Sequence, residues 1–557
     1  MADPRLTTSF YPADTSEPVL DMTVGDLLRA CARDAGEATA LVELTPPGSP
    51  SLSGAGSTER SWTYRELLEE AERCAHWLLE RFAPGDRITV WAPNIPEWVI
   101  LQWGAGLAGL VLVTANPALR ADELRYVLAQ SRSAGLFHTE QWRGTDMTAI
   151  AGEATSGIDR ELRVFCFADW EVSVRGWNGA RGALPDVDPG DPAQIQYTSG
   201  TTGTPKGALL HHRGLVTNAR YYGVRAKFAD GGTLVSAMPL FHTGGCGMAV
   251  LGCAHMRGRY GLLQIFDPEL ALRAVENLRA TVFTGVPTML IAMLSHPALA
   301  EIDTGGLAVV VSGGASVPPE LVRRVERTFG CRFTTVYGQT ELSPVVSQTS
   351  LDDEDTDKAE TVGRPLWNVE VKIADVRTNE PVPVGEEGEI CARGYQQMLE
   401  YFDMPDATAE TVDADGWLHT GDLGTMDDRG YMRITGRLKD MIIRGGENIY
   451  PREIEEVLFD HPRVLDAAVV GIPDERYGEV VVAVVRAEHA DDPPTAQELR
   501  AHCRARLAPH KTPIAWYLTD EWPLTGSGKI RKFHVADVVR DGGYAALPAS
   551  PARTGAG

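Results

Sequence analysis

The sequence predicts an α/β protein with a large N-terminal domain of helix-covered β-sheets, a small β-rich subdomain, and a small mobile α+β C-terminal domain. Three observations carry this reading. Helical segments alternate with short apolar strand-like runs over the first two thirds of the chain. After Glu360 the pattern changes to short strands separated by turns. A second change, at residues 437–440, opens a separate helix–strand pattern. A chain of 557 residues is also too long for one core, and its length fits roughly 3 or 4 folding units.

Residues 62–82 have helical spacing, with Leu67, Leu68, Ala71, Cys74, Leu78 and Leu79 on one face. GDRITVWAP follows as a strand and IPEWVILQWGAGLAG as a helix. Residues 98–115 are uncharged, but Gly104, Gly106, Gly109 and Gln102 interrupt them and Asn116-Pro117 ends them. They read as a buried helix and then a buried strand, against the rival of a membrane-spanning helix. GGLAVVVSGG reads as a strand entering a glycine turn, and residues 318–329 as a helix. VEVKIADV and GEICARG are the β-rich segments after Glu360. Beyond the junction, Pro451 opens a helix, proline suiting a first turn. Strands VLDAAVVGI and EVVVAVVRAE and the helix TAQELRAHCRARL follow. Residues 45–60 read as a mobile Pro/Gly/Ser loop, and the last stretch, DGGYAALPASPARTGAG, as a frayed tail. The expected boundaries are 1–436 for the N-terminal domain, about 361–436 for its β-rich part, and 437–557 for the C-terminal domain.

Composition narrows the function. The formal charge of −24 argues against nonspecific binding to nucleic acid or anionic membranes, while leaving room for a local cationic patch. The 8 cysteines include no CxxC pair, so neither a zinc site nor a disulfide framework is indicated. No secretion signal or integral membrane segment is visible, and a reducing cytoplasm is the expected home.

The most informative run is QIQYTSGTTGTPKG, residues 194–207. After a strand come Gly200, Gly203 and Gly207, hydroxyls at Thr198, Ser199, Thr201, Thr202 and Thr204, and one cation, Lys206. Glycines let successive N–H groups turn inward and form an anion-binding concavity, to which hydroxyls and a lysine add donors and charge. A polyphosphate is the economical ligand. The spacing differs from GxxxxGK[ST], because Gly207 follows Lys206. The rival is a flexible Gly/Thr linker.

Further polar clusters lie at apparent strand ends. They are Pro239-Leu-Phe-His242, Ser312-Gly-Gly-Ala315, Tyr337-Gly-Gln-Thr-Glu341, Trp417-Leu-His-Thr-Gly-Asp422, Gly436-Arg-Leu-Lys-Asp440 and Gly526-Ser-Gly-Lys529. Singly, each is a common turn. Together, in this order and after the opening run, they resemble the adenylate-forming superfamily of acyl-CoA synthetases, carrier-protein adenylation domains and beetle-type luciferases. The resemblance spans nearly the whole chain. GRLKDMIIRGGENIYPREIEE and WPLTGSGKIRK are most similar to medium- and long-chain fatty acyl-CoA synthetases.

The resemblance implies two half-reactions at one site. A carboxylate attacks the α-phosphate of Mg-ATP, giving an acyl-adenylate and pyrophosphate, and a thiol, usually coenzyme A, then displaces AMP. ATP, Mg²⁺ and coenzyme A are the implied cofactors. Thr198, Ser199, Gly200, Thr201, Thr202, Gly203 and Lys206 are expected to wrap the β,γ-phosphates. Tyr337 is expected to stack on adenine beside Gly338, with Gly313, Gly314 and Ala315 as the opposite wall. Thr340 is assigned to the α-phosphate and Glu341 to Mg²⁺, a hard cation that takes carboxylate oxygen. Asp422 is assigned to both ribose hydroxyls, backed by Arg437. His242 is placed between acyl group and adenylate, its rival being a satisfied core histidine. Lys529 is the implied adenylation lysine, Lys439 the hinge, and Gly446 the glycine beside the pantetheine tunnel.

The acyl substrate is left open. Residues 238–253 and 311–315 are expected to line its pocket, and Gly244, Gly245, Gly247 and Gly252 to leave room for a bulky or long apolar acid. Enzymes of one half-reaction remain alternatives, with an acyl carrier protein or an upstream adenylating enzyme as partner. A monomer or homodimer is expected.

Overall fold

The computed structural model describes residues 5–46, 60–198, 205–444, 447–474, 476–525 and 529–548. Among them, a nine-stranded sheet runs in the order Arg364–Pro365, Val345–Gln348, Arg332–Gly338, Val309–Gly313, Val282–Thr284, Thr233–Ser236, Arg259–Leu263, Thr39–Leu44, Ser61–Thr63. Its six middle strands, from Arg332–Gly338 to Thr39–Leu44, are parallel. A seven-stranded sheet runs Glu400–Tyr401, Lys206–His211, Pro192–Thr198, Val111–Ala115, Arg87–Trp91, Gly135–His138, Arg163–Cys166. Three of the polar clusters, at residues 239–242, 312–315 and 337–341, end or follow parallel strands of the nine-stranded sheet, at whose carboxyl ends ligands of open α/β sheets bind.

Between these layers lies the helix Pro96–Ala108, whose residues are all buried. Gly104 is required there by packing. A methyl group at that position would meet Cys74 Sγ at 2.8 Å and Ala71 O at 3.1 Å, on the neighbouring helix Tyr64–Leu79. That helix starts in a capping box, Thr63 with Glu66, and buries Leu67, Ala71, Cys74 and Leu78 as its spacing predicts, adding Ala75 and Trp77. Among the described residues, no helix is long and apolar enough to cross a membrane.

The β-rich sheet is antiparallel, in the order Phe10–Tyr11, Val369–Ala374, Gly388–Gly394, Leu418–Met426, Met432–Arg437. Its first strand comes from the N-terminus, so the segment straps this sheet to the larger body. Beyond residue 440, the strands Val464–Asp474, Gly478–Ala487 and Ala515–Leu518 build a smaller sheet with its own apolar cluster. The frayed-tail expectation is corrected for residues 541–548. Ala545–Ala546 pairs with Ala515–Leu518, Leu547 is buried, and Ala496 N donates to Pro548 O at 2.9 Å. A two-residue strand has no periodicity from which to be read. Most of the 45–60 loop lies outside the described residues.

A buried charge cluster closes one end of the core. Arg60 Nε donates to Glu43 Oε2 at 2.6 Å, and the same guanidinium donates through Nη2 to Glu97 Oε2 at 3.2 Å. The three side chains are 8%, 2% and 1% exposed, in the order Arg60, Glu43, Glu97. One guanidinium thus compensates two buried carboxylates. Arg60→Met is expected to destabilise the fold by about 3–5 kcal/mol, the usual cost of stranding a buried charge. Denaturant unfolding measures this, and a change below about 1 kcal/mol would show the carboxylates to be solvated or protonated.

Candidate active site

Strands Pro192–Thr198 and Lys206–His211 form an antiparallel pair that sets Thr198 opposite Lys206. The intervening Ser199, Gly200, Thr201, Thr202 and Gly203 lie outside the described residues, as does Gly446. At the described edge of this hairpin, Lys206 Nζ sits 4.9 Å from the centre of the Tyr401 ring. Tyr401 lies on the strand Glu400–Tyr401, next to Lys206–His211. Its hydroxyl donates to Glu341 Oε1 at 2.6 Å. Burial and the neighbouring Glu341 carboxylate push the Tyr401 phenol well up, so it remains a donor. Glu341 belongs to the 3₁₀ turn Thr340–Leu342 that follows the strand Arg332–Gly338, and both Thr340 and Glu341 are buried. Lys206, Tyr401 and Glu341 therefore meet from three elements. Sequence reasoning found the first and last but missed Tyr401, an isolated tyrosine outside any motif.

Asp422 is the second focus, 5% exposed. Tyr337 Oη donates to its Oδ2 at 2.9 Å, and Arg437 Nε donates to its Oδ1 at 2.8 Å. Asp422 and Arg437 face one another across the strands Leu418–Met426 and Met432–Arg437. Burial, and then the Asp422 carboxylate, push the Tyr337 phenol well up. An ionised carboxylate has about four lone-pair sites, so each oxygen retains acceptor capacity for another hydroxyl.

The small residues nearby have backbone causes. A methyl on Gly313 would meet Val336 O at 2.3 Å, and one on Gly338 would meet Pro344 O at 1.9 Å. Gly314 has φ +74°, a left-handed conformation natural to glycine. Gly314 and Ala315 are exposed at the end of the strand Val309–Gly313.

Lys529 arrives from the C-terminal sheet region tied to Thr525, whose N donates to Lys529 O at 2.7 Å and whose Oγ1 accepts the Lys529 N–H at 3.0 Å. A methyl on Gly314 would lie 3.6 Å from Lys529 Cε and 4.0 Å from its Nζ. Burial, helped by the Arg437 charge, lowers the Lys529 ammonium to about 8, while Asp422 and Glu341 act in the opposite direction. His242 accepts the Gly244 N–H at Nδ1, 3.1 Å, which leaves its proton on Nε2. Burial, with Lys529 nearby, pushes its pKa down to about 3, so the ring is neutral. Lys439 is exposed in the turn 438–440, where Asp440 N donates to Arg437 O at 3.2 Å.

The structure corrects one part of the acyl-pocket expectation. Gly244–Leu251 is a π-helix and is wholly buried. Methyl groups on Gly244, Gly245 and Gly252 would meet Met238 Cε at 2.7 Å, Pro239 O at 2.2 Å and Tyr222 Cδ1 at 3.1 Å. Gly245 and Gly252 thus serve close packing rather than leave space, while Gly244 meets at close range only the movable tip of Met238. Only Gly247 has room, its nearest neighbour being Thr243 Cβ at 3.9 Å.

Residues 28–402 match the AMP-binding enzyme family, and residues 453–529 match the AMP-binding enzyme C-terminal domain. The chain is 37% identical over 527 residues to the putative acyl-CoA synthetase YngI of Bacillus subtilis (strain 168), covering 89% of this chain and 96% of that protein. It is 34% identical over 563 residues to the mitochondrial medium-chain acyl-CoA ligase ACSF2 of Danio rerio, covering 95% of this chain and 90% of that protein. Its fold superposes on the crystal structure of ATP-bound MatB from Rhodopseudomonas palustris with a TM-score of 0.82 at 29% identity, covering 93% of this chain and 99% of that one. The chain therefore belongs to the AMP-binding enzyme family, the adenylate-forming superfamily, among its acyl-CoA synthetases.

Proposed function

We propose that the protein is a cytoplasmic ATP-dependent acid–CoA ligase that activates an apolar monocarboxylic acid as its acyl-adenylate and then forms the CoA thioester. The observation that carries this reading is the placement of Lys529 beside Gly314, electrostatically coupled to Asp422, Arg437, Glu341 and His242. Adenylation joins two anions, so its catalyst must hold them in line and neutralise charge as it spreads over the α-phosphate. A lysine ammonium can bridge a carboxylate oxygen and an α-phosphate oxygen. In this proposal Thr198 and Lys206 hold the β,γ-phosphates, Thr340 the α-phosphate, and Asp422 with Arg437 the ribose. Tyr337 and the Gly314–Ala315 edge flank the base. The carboxylate of Glu341, fixed by Tyr401, fits a hard divalent cation, and Mg²⁺ bound there would screen phosphate charge.

The monocarboxylate assignment rests on the lining. Residues 238–253 contain no lysine, arginine, aspartate or glutamate. A dicarboxylic acid would leave its second carboxylate unpaired there, a cost of several kcal/mol. The packed Gly245 and Gly252 favour a long slender chain over a bulky acid, and the medium-chain ligase among the relatives points the same way. The π-helix supports the reading, since such turns cluster at functional sites.

A panel of carboxylic acids incubated with ATP, Mg²⁺ and coenzyme A, read as pyrophosphate, AMP and acyl-CoA by mass spectrometry, tests the proposal. Acyl-CoA from medium- and long-chain monocarboxylates is the expected product. Pyrophosphate without acyl-CoA would instead assign a carrier-protein loader. Lys529→Ala should lower adenylation by roughly 10²-fold or more and spare thioester formation from a supplied acyl-adenylate.

The charged form of Lys529 is the active one, and its pKa lies near 8. The kcat/KM for ATP in adenylation should therefore be level below that value and decline above it. A flat profile to pH 9.5 would remove Lys529 from the step. Lys439→Pro fixes φ near about −65° and restricts the preceding residue, so it should hold the junction near one orientation. One half-reaction should survive and the other fall by orders of magnitude. Full turnover in both would exclude domain alternation.

A further inference from the structure

The proposed ribose-facing carboxylate sits on backbone that the β-ladder holds on one side only, since Asp422 pairs with Arg437 of Met432–Arg437 but with no residue of Gly388–Gly394. Strands Gly388–Gly394 and Leu418–Met426 pair Glu389 with Leu423 and Cys391 with His419. Ile390 alone therefore lies opposite Thr420, Gly421 and Asp422, a bulge of three residues against one. Gly421 within it has φ +71°, open to glycine and strained for other residues. Such a segment must find other partners for its polar groups.

Glu389 supplies the partner that fixes the bulge. This carboxylate is 8% exposed. Its Oε1 accepts the Gly421 N–H at 2.9 Å, and its Oε2 lies 2.8 Å from His419 Nδ1. The imidazole is held from its far side as well, with Nε2 3.5 Å from Asp413 Oδ2. Asp413 is anchored in turn by the N–H groups of Asp415 and Trp417, at 3.0 and 2.8 Å, and by Asn379 Nδ2 at 2.8 Å. Thr420 completes the clamp. Its hydroxyl donates to Ile390 O at 2.7 Å and accepts the Asp422 N–H at 3.1 Å. Asp422 links this set to Tyr337.

We infer that Glu389, oriented by His419, is a positioning residue that sets the Asp422 carboxylate for two-point recognition of the ribose hydroxyls. The inference rests on the proposed ribose role of Asp422. Without the Glu389 carboxylate the Gly421 N–H loses its acceptor, the bulge relaxes, and Asp422 loses the geometry in which both oxygens face one ligand. Charge-assisted bonds of this kind are the strong ones, and small displacements degrade two-point recognition more than simple affinity.

Calorimetric binding of ATP, 2′-deoxy-ATP and 3′-deoxy-ATP tests it. The wild type should prefer ATP over both deoxy analogues, and Asp422→Ala should abolish the preference. Glu389→Ala should reduce the preference by about tenfold or more while leaving binding of the deoxy analogues nearly unchanged. Glu389→Gln should retain most of it, because its amide oxygen still accepts the Gly421 N–H. A Glu389→Ala protein with wild-type preference overturns the inference while the Asp422 role stands. A wild-type preference in Asp422→Ala removes the ribose role and the inference with it. Should Glu389→Ala not fold, His419→Ala carries the test, since it frees Oε2 and is expected to lose part of the preference. Wild-type preference there would equally overturn the proposal.

Discussion

The Asp422 carboxylate is the constraint on which the site's construction depends. It lies on the β-rich sheet, accepts a hydrogen bond from Tyr337 at the end of a strand of the nine-stranded sheet, and pairs with Arg437 at the start of the junction. Three parts of the chain are thereby referred to one buried charge. Removing the carboxylate would leave a buried phenol and a guanidinium without their shared acceptor. The remaining groups cluster around the same strand ends. Thr340 and Glu341 follow Tyr337 directly, and Gly313 lies beside Val336 in the sheet register. The site is thus a consequence of how the strands end, not of a separately built pocket.

Under the proposed function, the electrostatics of the site suit a polyanion. The chain carries a formal charge of −24, yet Lys206, Arg437 and Lys529 converge on this locality. Lys206 is held over an aromatic face, and among the described residues it makes no salt bridge, so a ligand phosphate can recruit it at little cost. His242 stays neutral and so offers an Nε2 donor without adding a further cation. Glu341 and Asp422 keep the local charge mixed. For the proposed reaction, this arrangement would suit a ligand that brings both negative charge and a neutralising cation.

The fold class was legible because apolar periodicity and punctuation are strong over long segments. Residues 62–79 have caps, an apolar face and a strand before the next helix, and each signal agreed with the others. The site's ends of strands were legible because glycine, hydroxyl and charge occur there in combinations that packing alone does not explain. What escaped was three-dimensional complementarity. Tyr401 becomes part of the site only because its edge strand lies beside Lys206–His211. Gly244, Gly245 and Gly252 announced missing side chains, but the sequence does not say that Met238, Pro239 and Tyr222 fill the space. The bulge opposite Ile390 was hidden for the same reason, since a register shift belongs to a pair of strands and neither strand encodes it alone.

The position of Lys529 links charge to domain orientation. Its pKa, lowered from 10.5 to about 8, means that holding this ammonium in the site disfavours its charged form by on the order of 3 kcal/mol. The contacts that hold the C-terminal part in place are modest by comparison. Phe459 and Leu465 pack against the apolar cluster that contains Val322 and Ala359, and Arg324 lies 3.8 Å from Glu488 on a half-solvated pair. Such contacts stabilise an orientation without locking it. In the proposed cycle, a bound triphosphate offsets the lysine's desolvation and favours this orientation. Departure of pyrophosphate removes most of the compensating charge while the adenylate remains. Retaining a buried cation then becomes unfavourable, and the same lysine that assists the first half-reaction disfavours the orientation after it. In that proposed cycle, domain rotation for thioester formation would need no additional trigger, because the loss of the leaving group would shift the equilibrium between the two orientations.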